Sequence, residues 1–281
     1  MGHQPDYFPI LGIHEFSENH SLGSHLVFNE LHGERSIDEP HKHDFFIINL
    51  FEKGRGTHII DFVEHQLDSH QIHLVFPGQV HQWTIEKETI GYQLMMSREW
   101  FESFLPALRF SASYYLNHPV IGISEELYEA LLYEFHAIQK ELTCESPFWE
   151  LIRKRSEIIG LLLSKSVEGT FKDFENYTSN PIITKFLNLI SIHYKTERSV
   201  SFYAEKLNIS ANYLNIVCRK NLNASASSLI QDRILLEAKR LLKVSEMSVK
   251  DIVYDLGFYD HASFSKFFKM QTGMTPSQFK E

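Results

Sequence analysis

The C-terminal part of the chain repeats itself, and this repeat restricts the fold more than any other feature. Val200, Tyr203, Ala204 and Leu207 stand at i, i+3, i+4 and i+7, and Val249, Ile252, Val253 and Leu256 do the same 49 residues later. Each set makes one apolar helix face. Asn208 and Gly257, both tolerant of left-handed backbone, follow as helix stops, with Ile209 and Phe258 as apolar plugs for the turn. Ser210 and Asp260 are suited to cap a second helix, carrying Leu214, Val217 and Cys218 in one copy and Phe264, Phe267 and Phe268 in the other. The offset there is 50, because Tyr259 is added to the turn. The match runs on through Asn223 and Gly273, Ser227 and Ser277, and Leu229 and Phe279.

A helix, a tight turn and a second helix with an apolar inner face form a helix-turn-helix unit, and two occur in tandem, at about 199–222 and 248–272. Leu229, Ile230, Ile234, Leu235, Ala238, Leu241 and Leu242 make a long amphipathic connecting helix between them. The outer face of the first candidate recognition helix presents Asn212, Asn215, Arg219 and Lys220; that of the second presents His261, Ser263, Ser265, Lys266 and Lys269. Asn suits adenine, and Lys and Arg suit guanine or phosphate. A polar helix face alone is ordinary solvation, but here it occurs twice in the same register.

Charge supports this reading once it is resolved along the chain. The net −9 divides into −14 over residues 1–180 and +5 over residues 181–281, so the basic half is the repeat. Fourteen of the 16 histidines lie in the acidic half. The only cysteines, Cys144 and Cys218, offer neither a disulfide framework nor a cysteine zinc site. The N-terminus has no secretory pattern, and no stretch approaches the ~20 apolar residues that span a bilayer, so a cytoplasmic protein without membrane contact is expected.

The run Ser248-Val-Lys-Asp-Ile-Val-Tyr-Asp-Leu-Gly-Phe-Tyr-Asp-His-Ala-Ser-Phe-Ser-Lys-Phe-Phe-Lys-Met-Gln-Thr-Gly-Met-Thr-Pro-Ser-Gln-Phe-Lys280 resembles the C-terminal signature of AraC-family transcription regulators. Val200 to Asn223 resembles the family's first unit less closely, with Asn208 where Gly is usual and Ile216 where a basic residue is common. The resemblance implies a compact domain of about seven helices whose two recognition helices enter successive major grooves of double-stranded DNA. It also implies RNA polymerase as a further partner.

From about His25 to Met96 the period is different. Short runs rich in β-branched and aromatic residues (Phe45 to Phe51, His58 to Val63, His73 to Phe76, Gln82 to Ile85, Tyr92 to Met96) alternate with turn signals such as Glu52-Lys53-Gly54-Arg55-Gly56 and Pro77-Gly78, which suggests a β-barrel or sandwich. A helical period follows. Leu127, Leu131, Phe135 and Ile138 form a stripe behind a Ser124 cap, and Phe148, Ile152, Ile159, Leu162 and Leu163 suggest a second helix after Pro147. Residues 166–180 are polar and without period, and read as a linker. The expected fold class is α+β multidomain: residues 1–165 a barrel domain whose helices, about 124–165, mediate dimerisation, then the linker, then an all-α double helix-turn-helix domain over 181–281.

The barrel also carries a resemblance. Pro40-His41-Lys42-His43-Asp44-Phe45-Phe46, then Gly54 and Gly56, then Phe76-Pro77-Gly78-Gln79-Val80-His81, is similar to the two motifs of a cupin barrel, which in an AraC-type regulator implies an effector-binding and dimerisation domain. His41 and His43, two apart, share a strand face. The acidic ligand of catalytic cupins falls on Ile47 or Ile48, neither of which coordinates metal, so no metal, cofactor or catalytic residue is assigned. His41, His43, Phe45, His81 and Trp83 are expected to line an effector pocket that mixes apolar walls with few polar groups; for the three histidines the alternatives are hydrogen bonds inside the barrel mouth, a place at its rim, or ligation of a metal. His58, His65, His70 and His73 read as surface or strand residues with no assigned role, a pH response being the open alternative. Tyr128, Leu132 and Trp149 add helical apolar surface beyond what a small barrel needs, which suits either packing on the barrel or a homodimer interface. The reading is therefore an effector-responsive, sequence-specific DNA-binding regulator and not an enzyme; the alternative is a metal-dependent cupin enzyme with an accessory helical domain.

Overall fold

The structure, a computed structural model, describes residues 12–13, 25–108, 112–170 and 181–281. The chain divides near residue 175 into two compact units.

The N-terminal unit is built on two antiparallel sheets. β1 (Leu26–His32), β8 (Ile90–Met96), β3 (Phe46–Lys53), β6 (Gln71–Val75) and β9 (Val120–Gly122) form one, in that order; β2 (Arg35–Lys42), β7 (Val80–Ile85), β4 (Gly56–Ile60) and β5 (Val63–Gln66) form the other. β3 is buried from Phe46 to Phe51 because both its faces are covered. Ile47 and Phe51 point into the barrel among Val27, Met95, Trp83 and Ile85. Phe46 points outward onto Phe101 and Phe104 of α1 (Arg98–Phe104), with ring centroids 4.6 and 5.8 Å away.

Hairpin geometry breaks one of the expected strands. The run from His58 to Val63 is two strands, β4 and β5, joined at Asp61 and Phe62, which have φ of 48° and 69°. Tight two-residue turns need positive φ at both central positions. Tertiary contacts hold the turn, since the Asp61 carboxylate accepts the Gln79 amide at 2.7 Å and the Val80 N–H at 3.2 Å.

α2 (Ala112–Asn117) leads into β9, and α3 (Glu125–Leu142) starts at the expected cap, where the Ser124 hydroxyl accepts the Leu127 N–H. α4 (Trp149–Thr170) runs five residues into the segment read as linker, because its buried stripe of Ile152, Ile159 and Leu163 continues to Val167. The rest of that segment, 171–180, lies outside the described residues. Phe148 is exposed instead of joining the stripe.

Among the described residues the C-terminal unit has seven helices: α5 (Pro181–His193), α6 (Val200–Lys206), α7 (Ala211–Leu222), α8 (Ala226–Val244), α9 (Val249–Asp255), α10 (His261–Thr272) and α11 (Pro276–Lys280). Their core joins both copies of the repeat, with Ile183, Phe186, Tyr203, Leu214, Ile230, Ile234, Leu241, Ile252, Phe264 and Phe268 buried together. The two copies have the same punctuation. Ser210 and Asp260 accept the N–H of Tyr213 and Ser263, and Asn208, Gly257, Asn223 and Gly273 have φ of 55°, 71°, 52° and 78°. Both helix-turn-helix units and the connecting helix α8 thus lie where the repeat puts them.

Candidate effector cavity and nucleic-acid interface

The barrel holds a half-open cavity of about 430 Å³. All five residues expected there line it: His41, His43, Phe45, His81 and Trp83. β2 and β7 pair with His41 opposite His81, and their ring centroids are 4.3 Å apart. His43 follows β2 and stacks on Phe45 at 4.1 Å. Arg35, Asn29, Gln93, Ile37 and Met95 are among the other residues of the wall and had not stood out in the sequence. Arg35 is exposed, whereas the Trp83 Nε1 is buried with no hydrogen-bond partner among the described residues. An orphaned buried donor is costly, and this one borders the cavity, where a ligand acceptor can meet it.

Two polar ladders cross the barrel interior. In one, Asn29 Nδ2 donates to Gln93 Oε1 at 3.2 Å and Gln93 Nε2 to Asn49 Oδ1 at 2.9 Å; Asn49 Nδ2 in turn donates to the His73 carbonyl at 3.4 Å. The other is a chain of four imidazoles. His43 Nε2 lies 3.0 Å from His81 Nε2, His81 Nδ1 3.0 Å from His58 Nε2, and His58 Nδ1 3.0 Å from His73 Nδ1. His58 and His73 are therefore interior residues, which corrects their reading as unassigned strand or surface positions. Each faces inward because its strand register sets it opposite an interior residue, His58 against Trp83 and His73 against Asn49. A protonated imidazolium loses solvation on burial. Burial accordingly pushes His43 and His73 down to about 3, and lowers His58 and His81 well below the ordinary imidazole range with help from neighbouring rings. Among the described residues no group of three or more His, Cys, Asp or Glu is arranged to hold a metal ion.

Tyr128 also changes role. It is buried, stacks on His70 with centroids 4.7 Å apart, and donates its hydroxyl to Glu52 at 3.3 Å, so it packs α3 against the barrel. The apolar residues left exposed on the two helices include Tyr133, Trp149, Ile158 and Leu161.

On the helical unit, α7 exposes Asn212, Arg219 and Lys220, and α10 exposes His261, Ser263, Lys266 and Lys269, with Ser265 half-buried. None of Arg219, Lys220, Lys266 and Lys269 makes an ion pair with a described residue. Cations elsewhere in the unit are engaged: Lys195 with Asp255 at 2.7 Å, and Arg233 with Glu237 at 2.9 Å. Asn215 is used internally, its Oδ1 accepting the Ala226 N–H at 3.0 Å and its Nδ2 donating to the Ala211 carbonyl at 3.2 Å. It ties α7 to the start of α8, while Tyr213 and Ile216, which the sequence reading passed over as contacts, stand exposed on the outer face. The spacing of Leu214, Val217 and Cys218 already implied that 213 and 216 point outward.

Comparison with known proteins agrees with both halves. Residues 26–152 match the model of the AraC-like ligand binding domain, and residues 203–281 match a helix-turn-helix domain model. The chain is 24% identical to the arabinose operon regulatory protein of Escherichia coli (strain K12), over 93% of this chain and 91% of that one. It is 30% identical to the Msm operon regulatory protein of Streptococcus mutans over 106 residues, which is 38% of each chain. ToxT from Vibrio cholerae O395 superposes with a TM-score of 0.46 at 17% identity, covering 92% of this chain and 98% of that one. Among the described residues no helix is long and apolar enough to cross a membrane. A ligand-binding barrel and a tandem helix-turn-helix unit in one chain make this protein a member of the AraC family of transcription regulators, which binds DNA through its C-terminal domain and responds to an effector through its N-terminal one.

Proposed function

We propose that α7 and α10 read two successive major-groove segments of one operator. Asn212 would contact base edges, Arg219, Lys220, Lys266 and Lys269 would contact guanine or phosphate, and His261, Ser263 and Ser265 would make polar contacts at the start of α10. The observation that carries this is the pairing of free cations with two identically capped and terminated recognition helices. With a net charge of only +5 on this half, two-groove geometry and dimerisation supply affinity more than bulk charge does. The effector occupies the barrel cavity, with Phe45, Trp83 and the faces of the His43 and His81 rings as walls and with His41 and the Trp83 Nε1 as polar contacts, since both ring nitrogens of His43 and His81 are engaged within the barrel. The protein acts as a cytoplasmic homodimer through the outer faces of α3 and α4, where Ile158 and Leu161 are exposed, and engages RNA polymerase at the promoter.

The test is selection of duplexes from a randomised library by the full chain, at about 0.15 M salt with excess competitor DNA. Enrichment of sites whose two segments are centred about one helical turn apart is expected. Absence of enrichment would overturn the reading. A second arm screens small molecules by thermal shift, since a ligand at 100 times its Kd that binds only the folded state adds about 2.7 kcal/mol.

A further inference from the structure

The imidazole chain in the barrel ends on an oxygen at both sides. At one end His43 Nδ1 lies 2.8 Å from the carbonyl oxygen of Phe45, which can only accept. At the other, His73 Nε2 lies 3.0 Å from Gln71 Oε1. The orientation of the Gln71 amide follows from its other partner, because the Asp68 N–H donates to the same Oε1 at 2.9 Å. Both ends therefore demand a donor from the chain.

Counting protons exposes a deficit. The contacts are Phe45 O to His43, His43 to His81, His81 to His58, His58 to His73, and His73 to Gln71, which makes five. A neutral imidazole carries one N–H, so four neutral rings supply four. If His43 donates to Phe45 and every ring follows the same direction, the lone pair of His73 Nε2 faces the oxygen of Gln71. Reversing the direction sets the lone pair of His43 Nδ1 against the oxygen of Phe45. An arrangement in which both ends donate leaves two lone pairs opposed between two rings, and one in which neither end donates satisfies neither oxygen. One added proton closes all five contacts.

We propose that His43, His81, His58 and His73 form a built binding site for a single proton, shared along the chain and held as a unit. The site is interior: all four rings are at most 3% exposed. Two of its members, His43 and His81, also line the effector cavity. Among the described residues the other ionisable groups near it are His41 on β2 and His65 on β5, with Arg35 across the cavity; what Phe45 just before β3, Asn49 and Phe51 on β3 and Gln93 on β8 present toward it does not ionise. Neighbouring rings repel a second positive charge, so uptake stops at one. Sharing over four rings and five charge-assisted hydrogen bonds oppose the burial penalty that each ring would meet alone. The inference rests on barrel geometry and is independent of which operator or effector the protein recognises.

The experiment is a histidine side-chain ¹H–¹⁵N titration of the full chain between pH 8 and 5, with single-site histidine variants for assignment. The ring nitrogens of His43, His58, His73 and His81 are expected to move with one common midpoint, their shifts together amounting to one proton. Gln71→Leu removes the oxygen at one end, leaving four protons for four contacts, and is expected to lower that midpoint by at least one pH unit. Gln71→Glu keeps the oxygen and adds negative charge, and is expected to raise it. Four separate midpoints, four rings that remain neutral to pH 5, or a midpoint indifferent to both Gln71 variants would overturn the proposal. Gln71 is partly exposed, and loss of fold in one variant leaves the other and the wild-type titration to decide.

Discussion

Gly257 lies so close to Lys195 that a Cβ on it would overlap the Lys195 carbonyl oxygen. Its φ is 71°, and the loop before α6 also grips the turn from above, with the Arg198 guanidinium donating to the Leu256 carbonyl at 2.7 Å and sitting 3.6 Å over the Phe258 ring. The turn of the second helix-turn-helix unit is thus clamped by residues that precede the first. Gly257→Ala is expected to destabilise the helical domain by about 2 kcal/mol or more, from the positive φ and the overlap together. Urea unfolding followed by far-UV circular dichroism measures this, and a change within 0.5 kcal/mol would contradict the clamp.

Two asparagines on one helix should separate. Asn215→Ala removes the acceptor for the Ala226 N–H and is expected to cost about 1–2 kcal/mol of stability. Asn212→Ala, at an exposed position, should leave unfolding unchanged and weaken operator binding. Equal effects on stability would show that the two side chains do not differ in role.

For α10, Lys266→Ala and Lys269→Ala are each expected to weaken DNA binding and to reduce the slope of log K against log salt by about 1 if the residue contacts phosphate. Fluorescence anisotropy at several salt concentrations reads both quantities. Wild-type affinity in both variants would remove α10 from the interface.

Acid should loosen the barrel before the helical domain. Taken ring by ring, burial pushes His43 and His73 down to about 3 in the folded barrel, against the ordinary value near 6.5 when unfolded. The unfolded state therefore binds more protons between those values. Stability is full above about pH 6.5 and falls as pH drops toward 3, by up to about 1.4 kcal/mol per pH unit for each ring kept neutral. A proton shared by the four-histidine chain exempts one ring at most. Trp83, Trp100 and Trp149 all belong to the N-terminal unit, so tryptophan fluorescence in urea at pH 7.5, 6 and 5 follows the barrel alone. A midpoint independent of pH would count against neutral buried rings.

What was readable without coordinates was local or periodic. Ser210, Asp260, Asn208, Gly257, Asn223 and Gly273 punctuate helices through their own caps and φ angles, so the tandem units lie at the expected residues. Of the cavity residues, His41, His43, Phe45 and His81 were accessible because each lies within a short motif, and Trp83 because it stands two residues after the second motif. His58 and His73 were not, because the side of a strand that faces inward is decided by pairing register, and a shift of one residue reverses every side chain. Asn215 has the residue type of a base reader, and only the nearness of the Ala226 N–H assigns it elsewhere. The turn at Asp61 and Phe62 likewise depends on Gln79 and Val80, distant in sequence.

The sequence by itself determined the two-part architecture, the family, and the segregation of −14 from +5, because repeats, helix punctuation and charge are properties of consecutive residues. Only the tertiary structure decided that four histidines from four separate segments meet in one line between two oxygens. Interior hydrogen bonds of that kind need atoms placed within about 3 Å across paired strands, a condition that no local pattern encodes.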